Sequence, residues 1–458
     1  MTDTNVDLVI LGGGVAGYAA AIRGAELGMK VVLIEKDKLG GTCLHRGCIP
    51  TKTLLHSAEV ADEAQHAADV GLKVNFDGVD IEGLHKYKDS IVGKHFKGLT
   101  GLIKGHGIEV VAGEGTYVGG TSVKVGDTTY TGKDLILATG SYSRSLPGLD
   151  IEGRVITSEQ ALGLQWVPQS AIVLGGGVIG VEFASIWSSF GSDVTIVEAL
   201  PSLVPAEDPW LGKQLERAFR KRKINFKTGV KFSKVTQDDS GVTVTLEDGT
   251  ELKADLLLVA VGRGPATDGT GFAEQGIAMD RGFVLTDERL HTNVDHVYAI
   301  GDIVPGLQLA HRGFQQGIFA AEEIAGLNPV VVPDSNIPRV TYCDPQVASV
   351  GLTEDMAKKQ YGDDQVETYT YNLAGNGKSD ILRTAGGIKA VRVKDGPIVG
   401  VHMVGGRIGE LLAEAQLIVN WEAHPEDVAP LIHAHPTQYE SIGETMLAMA
   451  GKPLHAAH

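Results

Sequence analysis

Short, continuously apolar runs closed by glycine dominate this chain, and they come in two matching sets. Val6-Asp7-Leu8-Val9-Ile10-Leu11 reads as a buried strand, followed by Gly12-x-Gly14-x-x-Gly17 and an alanine-rich helical stretch through Leu27. A second strand, Lys30 to Ile34, ends in Glu35. The order repeats downstream: Ala171 to Leu174, Gly175-x-Gly177-x-x-Gly180, a helix through Phe190, and Val194 to Val197 ending in Glu198. Apolar runs of this kind fit strands covered on both faces, and their alternation with helices predicts parallel sheets. Ala171 to Trp187 is also the best membrane candidate, but Glu182 and the glycine triplet inside it favour strand, turn and helix.

The rest of the pattern sets coarse boundaries. Lys133 to Ala138 is a strand running into a glycine turn, and Ala254 to Val261 followed by Gly262-Arg263-Gly264-Pro265 repeats that form. His296 to Ile300 is another buried strand with Asp302 just past its C-terminal end, the edge where α/β sheets place ligands. Beyond Asn336, alternating stretches at Gly387 to Val393 and Ile398 to Val404, then helical patterns from Glu410, predict an α+β domain. The expected fold class is α/β: two Rossmann-like dinucleotide-binding domains plus a C-terminal α+β domain. The first domain takes residues 1–145 and a return segment, 266–335; the second takes 146–265 and the last 336–458.

A lone G-x-G-x-x-G is weak, because 60 glycines in 458 residues yield roughly one match by chance. Here each copy follows a strand, opens a helix, and is followed by an acid 23 residues after its first glycine. The glycines permit a tight turn and close approach of a pyrophosphate, the helix N-terminus faces the phosphates, and the acid can accept from a ribose hydroxyl. The chain therefore reads as binding two dinucleotides.

Composition narrows the class. The length calls for two to four domains, and 43% hydrophobic with 21% charged residues is an ordinary globular balance. A formal net charge of −17 argues against a nucleic-acid surface. Met1-Thr2-Asp3-Thr4 lacks the basic and apolar regions of a secretion signal, so a cytoplasmic protein, with no membrane partner, is expected.

Three cysteines give no disulfide framework. Cys43 and Cys48, the one close pair, sit just behind the first fingerprint in Gly40-Gly41-Thr42-Cys43-Leu44-His45-Arg46-Gly47-Cys48-Ile49-Pro50-Thr51-Lys52. Spacing alone leaves inert thiols, half a metal site or a redox pair open, although zinc would need more ligands than three sulfurs supply. Near the C-terminus, His435 precedes Pro436, which pushes it out of helical geometry, and Thr437-x-x-Glu440 fits a helix-start capping box. On these residues alone capping leads catalysis as the reading of Glu440. His433 reads as packing or surface, and Lys52 as equally a solvated lysine or a site residue.

Taken together, both fingerprints, GGTCLHRGCIPTK, Ala299-Ile300-Gly301-Asp302 and His435-Pro436-Thr437-Gln438-Tyr439-Glu440 make the chain resemble the pyridine nucleotide–disulfide oxidoreductases over essentially its whole length. The resemblance implies FAD at the first fingerprint: Gly12, Gly14 and Gly17 at the pyrophosphate, Glu35 at the adenosine ribose, and Asp302 at the ribityl or phosphate region. Gly41, Thr42, Gly115, Thr139, Gly140, Ser141 and Ala310 are implied as further cofactor contacts. Lys52 would lie near the flavin, paired with Glu182. At the second fingerprint, Gly175, Gly177, Gly180, Glu198 and Gly262 would hold a nicotinamide nucleotide. Cys43 and Cys48 would form a redox-active disulfide, Cys43 nearer substrate and Cys48 nearer flavin, with His435 as acid/base and Glu440 orienting its ring. An imidazole suits that task because it titrates near neutrality. No metal is implied.

Discriminating positions refine the expectation. Glu198, followed by Ala199, Leu200 and Pro201 with no arginine, favours NAD over NADP. Val178 stands where glutathione-reducing relatives tend to carry tyrosine, and residues 451–458 lack the extra cysteine pair of mercuric-ion-reducing ones. Within the family the chain looks most like the branch that oxidises protein-bound dihydrolipoamide. That branch implies a homodimer whose sites each take His435 from the other subunit, and as partners a lipoyl domain and the E2 acyltransferase of a 2-oxoacid dehydrogenase complex. The alternative within the fold is an NAD(P)H-dependent reductase of a low-molecular-weight disulfide. A scaffolding flavoprotein is disfavoured by the intact Cys43, Cys48 and His435. One departure is His45-Arg46, where relatives often have Asn-Val; it would add positive charge near the redox pair and stabilise thiolate.

Overall fold

The computed structural model describes residues 3–455, which divide into two compact units. The first comprises residues up to Leu54 with 80–144 and 262–332; the second comprises 55–79, 145–261 and 333 onward.

In the first unit a parallel sheet runs in the order Glu109–Ala112, Val31–Glu35, Asp3–Leu11, Thr128–Leu137, Val297–Ala299. Alternate residues of one strand point to opposite faces. Leu8 and Ile10 pack with Leu33 and Ile136 on one face, Val9 and Leu11 with Val32 and Leu137 on the other, and both faces are covered. That explains the unbroken apolar runs; each fully buried Leu or Ile contributes about 1.5–3 kcal/mol. Register pairs Leu11 with Ile34 and with Leu137, and Leu137 with Ala299. Gly12, Glu35, Thr139 and Asp302 consequently emerge along one C-terminal edge. The helix Val15–Glu26 follows the first glycine loop, and Ala310–Ile324 lies against it closely enough that a Cβ on Gly317 would fall 2.3 Å from the Ala16 carbonyl oxygen.

In the second unit the parallel order is Asn225–Thr228, Asp193–Glu198, Ser170–Leu174, Leu256–Val259, Val155–Thr157. The helix Val178–Ser189 follows the second glycine loop and buries Glu182. An antiparallel sheet, Arg339–Thr341, Gln346–Gly351, Ile398–Gly405, Gly387–Val393, Val366–Asn372, carries the helices Ile408–Asn420 and Glu440–Met449 on a core that includes Val350, Ile388, Met403, Leu412, Ile442 and Met446. Among the described residues no helix is long and apolar enough to cross a membrane.

Candidate active site

The two glycine loops are built alike. Gly12 and Gly175 adopt φ of +110° and +111°, where a side chain is strained, and a Cβ there would meet the Ala138 or Ala260 carbonyl oxygen at 2.2 or 2.3 Å. A Cβ on Gly17 or Gly180 would fall 1.8 or 1.9 Å from the carbonyl oxygen of Gly12 or Gly175, so only glycine lets each helix start this close to its strand. Gly14 and Gly177 differ: nothing lies within 4 Å of their added Cβ, so they face open space at the helix N-terminus.

The acids close the loops. Glu35 accepts from Gly13 N–H at 2.7 Å and Asp37 N–H at 2.8 Å; Glu198 accepts from Gly176 N–H and Leu200 N–H, both at 2.7 Å. Each carboxylate has a further lone pair on each oxygen for a ribose hydroxyl. The repeat extends beyond the sequence motif, since Gly40 N–H donates to Gly13 O and Val204 N–H to Gly176 O, both at 2.8 Å.

Around the first loop, Thr139 Oγ1 is buried without a hydrogen-bond partner among the described residues, an orphan of the kind a bound cofactor satisfies. Beside it, Gly140 takes φ of +80°. Ser141 Oγ donates to Asp302 Oδ2 at 2.5 Å, and Arg263, which the motifs did not single out, holds that serine through Nε to Oγ and Nη2 to its carbonyl, both at 2.8 Å. Gly301 N–H, next to Asp302, donates to Gln316 Oε1 at 2.8 Å. Ala310 opens the helix lying against Val15–Glu26, whereas Gly115 is pressed against Leu11, Val123 and Ile34, so core packing already explains its lack of a side chain. Open glycines and the loop-closing acids make both loops fit dinucleotides, and the buried orphan adds to the fit of the first.

The cysteines stand directly behind the first loop. Gly40 and Gly41 have φ of +100° and +57°, and a Cβ on Gly41 would lie 2.8 Å from Gly14 Cα. These two glycines bring the helix Gly41–Arg46, which carries Thr42 and Cys43, onto the phosphate loop; Gly47 breaks it, and Cys48 begins the helix Cys48–Gln65 that also carries Lys52. Cys43 and Cys48 are joined in a disulfide with Cα atoms 4.6 Å apart. Of the two residues between the cysteines that depart from relatives, Arg46 pairs with Asp37 at 2.9 Å, while His45 Nε2–H donates to Leu39 O at 2.8 Å and its ring meets Phe96 edge-on. Cys343 is buried, donates to Pro345 O at 3.2 Å, and burial pushes its thiol pKa well up, which leaves it inert.

In the second unit, Glu182 accepts from Tyr342 N–H at 2.9 Å, and Gly262, assigned to the first unit, takes φ of +109°. His435 Nδ1 lies 2.9 Å from Glu440 Oε1, with 79% of its side chain exposed. A carboxylate can only accept, so Nδ1 carries the hydrogen and the lone pair of Nε2 is left outward. Glu440 Oε2 accepts from Thr437 N–H at 2.6 Å. Burial pushes the Glu440 carboxyl up, but the Thr437 amide and the His435 ring outweigh it and hold the acid below its ordinary range. The expected capping box forms only by half. The helix starts at Glu440 itself, and Thr437 Oγ1 donates instead to Ala434 O at 2.6 Å. His433 is neither surface nor plain packing, because its Nε2 lies 2.7 Å from Glu414 Oε1. Among the described residues no group of three or more His, Cys, Asp or Glu could hold a metal ion.

Two dinucleotide loops, with a disulfide seated against the first, define a nucleotide-dependent disulfide oxidoreductase. The chain belongs to the pyridine nucleotide-disulphide oxidoreductase family, whose model matches residues 6–317 and whose dimerisation domain matches residues 337–446. It is similar to a dihydrolipoyl dehydrogenase of Bacillus subtilis strain 168, 40% identical over 99% of both chains. It is also similar to mitochondrial dihydrolipoyl dehydrogenase 1 of Arabidopsis thaliana, 40% identical over 98% of this chain and 91% of that one. The crystal structure of LpdA from Mycobacterium tuberculosis matches with a TM-score of 0.89 at 26% identity, over 97% of this chain and 99% of that one.

Proposed function

We propose that this chain oxidises protein-bound dihydrolipoamide to lipoamide and delivers the electrons to NAD, with FAD at the Gly12 loop and NAD at the Gly175 loop. The observation that carries the reading is the Cys43–Cys48 disulfide held against the first phosphate loop by Gly40 and Gly41. Relatives bearing the dihydrolipoyl dehydrogenase name over nearly the whole chain support the substrate.

His435 Nε2 removes a proton from one substrate thiol, and the thiolate attacks Cys43 Sγ. The Cys43–Cys48 bond breaks, and Cys48 departs as a thiolate. The second substrate sulfur then attacks the first, forming the lipoamide disulfide and expelling Cys43, so one disulfide forms as one breaks and the two protons remain on His435 and Cys43. Glu440 keeps the ring in the accepting tautomer. The chemistry supplied by bound FAD is two-electron acceptance and onward hydride transfer to NAD.

In this reading residues 1–145 and 266–335 bind FAD, 146–265 bind NAD, and 336–458 form the interface of a cytoplasmic homodimer that serves a lipoyl domain and the E2 acyltransferase of a 2-oxoacid dehydrogenase complex. Lys52, on the helix that Cys48 begins, would contribute to holding FAD. His435 completes the partner subunit's site, so each site needs one cysteine pair and one base from different chains. Two experiments test this. Turnover with dihydrolipoamide and NAD should far exceed NAD(P)H-driven reduction of low-molecular-weight disulfides; the reverse order would replace the substrate. Mixing inactive Cys43→Ser and His435→Gln proteins under subunit exchange should restore activity, and verified heterodimers without activity would contradict the shared site.

A further inference from the structure

Two residues before the base, the structure holds a second histidine–carboxylate pair with different surroundings. His433 has only 11% of its side chain exposed, against 79% for His435. Its Nε2 faces Glu414 Oε1 at 2.7 Å, and its Nδ1 faces the Leu431 carbonyl oxygen at 3.3 Å. Both ring nitrogens therefore meet acceptors, and only the doubly protonated ring can donate to both. The ring lies tilted against Tyr439 at 5.6 Å, and Gly443 is bare because a Cβ there would come within 2.6 Å of His433 Nδ1. Tyr439 Oη accepts from Ala434 N–H at 3.1 Å, so the contacts bracket the turn that presents His435.

We propose that His433, held as a cation between Glu414 and the Leu431 carbonyl, is a positioning residue that fixes the loop carrying His435. The groups facing it are Glu414 from the helix Ile408–Asn420, Glu440 from the helix Glu440–Met449, and Tyr439 from the loop. Glu414, by its hydrogen bond, is the main cause that raises the pKa of His433, and Glu440 adds to it. The charge of His433 in turn contributes to lowering that of Glu440. Because the folded value is raised, the His433–Glu414 pair is at full strength below the ordinary imidazole range and is lost as pH rises through the raised value. The loop accordingly loosens on the alkaline side.

The inference rests on His435 being the base, so the test carries both. His433→Phe keeps an aromatic ring and removes both donors, while Glu414→Gln leaves the histidine and removes its counter-charge. His433→Phe should lower dihydrolipoamide turnover by about 10- to 100-fold, the scale of a misplaced catalytic group, and abolish the alkaline fall attributable to this pair. NADH oxidation by an artificial acceptor should stay within about twofold, since it bypasses the substrate thiols. His433→Gln, which restores a donor toward Glu414, should recover part of the rate. Turnover of His433→Phe within about twofold of the parent, with an unchanged pH profile, overturns the proposal. If that variant does not fold, Glu414→Gln decides by the same two readouts. His435→Gln run alongside separates the failures: a normal rate there sinks the base assignment, whereas a lost rate there with a normal His433→Phe sinks only the role of His433.

Discussion

Replacing Glu440 with glutamine changes one atom and creates a conflict whose size follows from the geometry. The carboxylate accepts twice, from His435 Nδ1–H at 2.9 Å and from Thr437 N–H at 2.6 Å. An amide has one oxygen. If that oxygen keeps the Thr437 amide, its NH2 faces Nδ1, and the imidazole must move its proton to Nε2, the atom that has to accept. If the oxygen instead turns to His435, the NH2 opposes the Thr437 N–H, and two donors are left facing each other in a partly buried site. An unmade bond of this kind costs about 1–3 kcal/mol, so turnover should fall by about 5- to 150-fold. The assay is NADH formation from dihydrolipoamide, with NADH oxidation by an artificial acceptor as control. The second rate should stay near the parent's. A Glu440→Gln protein within about twofold of the parent in the first assay would refute the tautomer argument, and an equal loss in both would show that Glu440 serves the fold rather than the base.

Three further outcomes follow from the same geometry. Cys43→Ser and Cys48→Ser should each abolish dihydrolipoamide oxidation while retaining bound flavin by absorbance, because neither sulfur contributes to the glycine loops; near-normal turnover of either would contradict dithiol chemistry. Glu198→Arg should raise the NADP-to-NAD ratio of kcat/KM by about tenfold or more, since it removes a ribose acceptor and supplies a phosphate partner; an unchanged ratio would show that Glu198 does not read the 2′ position. His402 is buried with Nε2 donating to Leu352 O at 2.9 Å, and burial lowers its pKa to about 4. An unfolded chain takes up this proton near the ordinary value while the folded one resists it. Stability should therefore fall as pH drops from about 6.5 to about 4, by roughly 3 kcal/mol from this group, and denaturant midpoints of His402→Gln should show that much less dependence over the window.

What the sequence revealed and what it hid divide by the range of the constraint. The glycine loops were legible because their steric demand is local: Gly17 touches Gly12, and Gly180 touches Gly175, five residues back. The acid 23 positions on was legible because the following strand lies beside the first in register. On the residues alone Glu440 read first as the partner of Thr437 in a capping box, and only the family resemblance paired it with His435; Thr437 turned its hydroxyl elsewhere because the chain stays irregular up to Glu440. Asp302 was readable as a strand-end acid; the bond from Ser141 and the hold of Arg263 on that serine join residues more than a hundred positions apart, and no spacing encodes them. His433 shows the same limit, since its partner Glu414 lies on another helix. The partner of Arg46 was not readable either, because Asp37 lies in a loop whose return path only the fold defines.

The most direct test of the central claim follows the two sulfurs themselves. Purified protein would be held without oxygen, treated with one equivalent of dihydrolipoamide per chain in the absence of NAD, alkylated under native conditions, and read by mass spectrometry at each cysteine. Cys343, buried and free, is an internal marker for unwanted unfolding. The account predicts that Cys43 and Cys48 are unlabelled before treatment, that label appears on the pair as lipoamide forms, and that excess NAD added before the alkylating agent returns both to the unlabelled state with NADH produced. Lipoamide and NADH appearing while both cysteines stay protected throughout would contradict it.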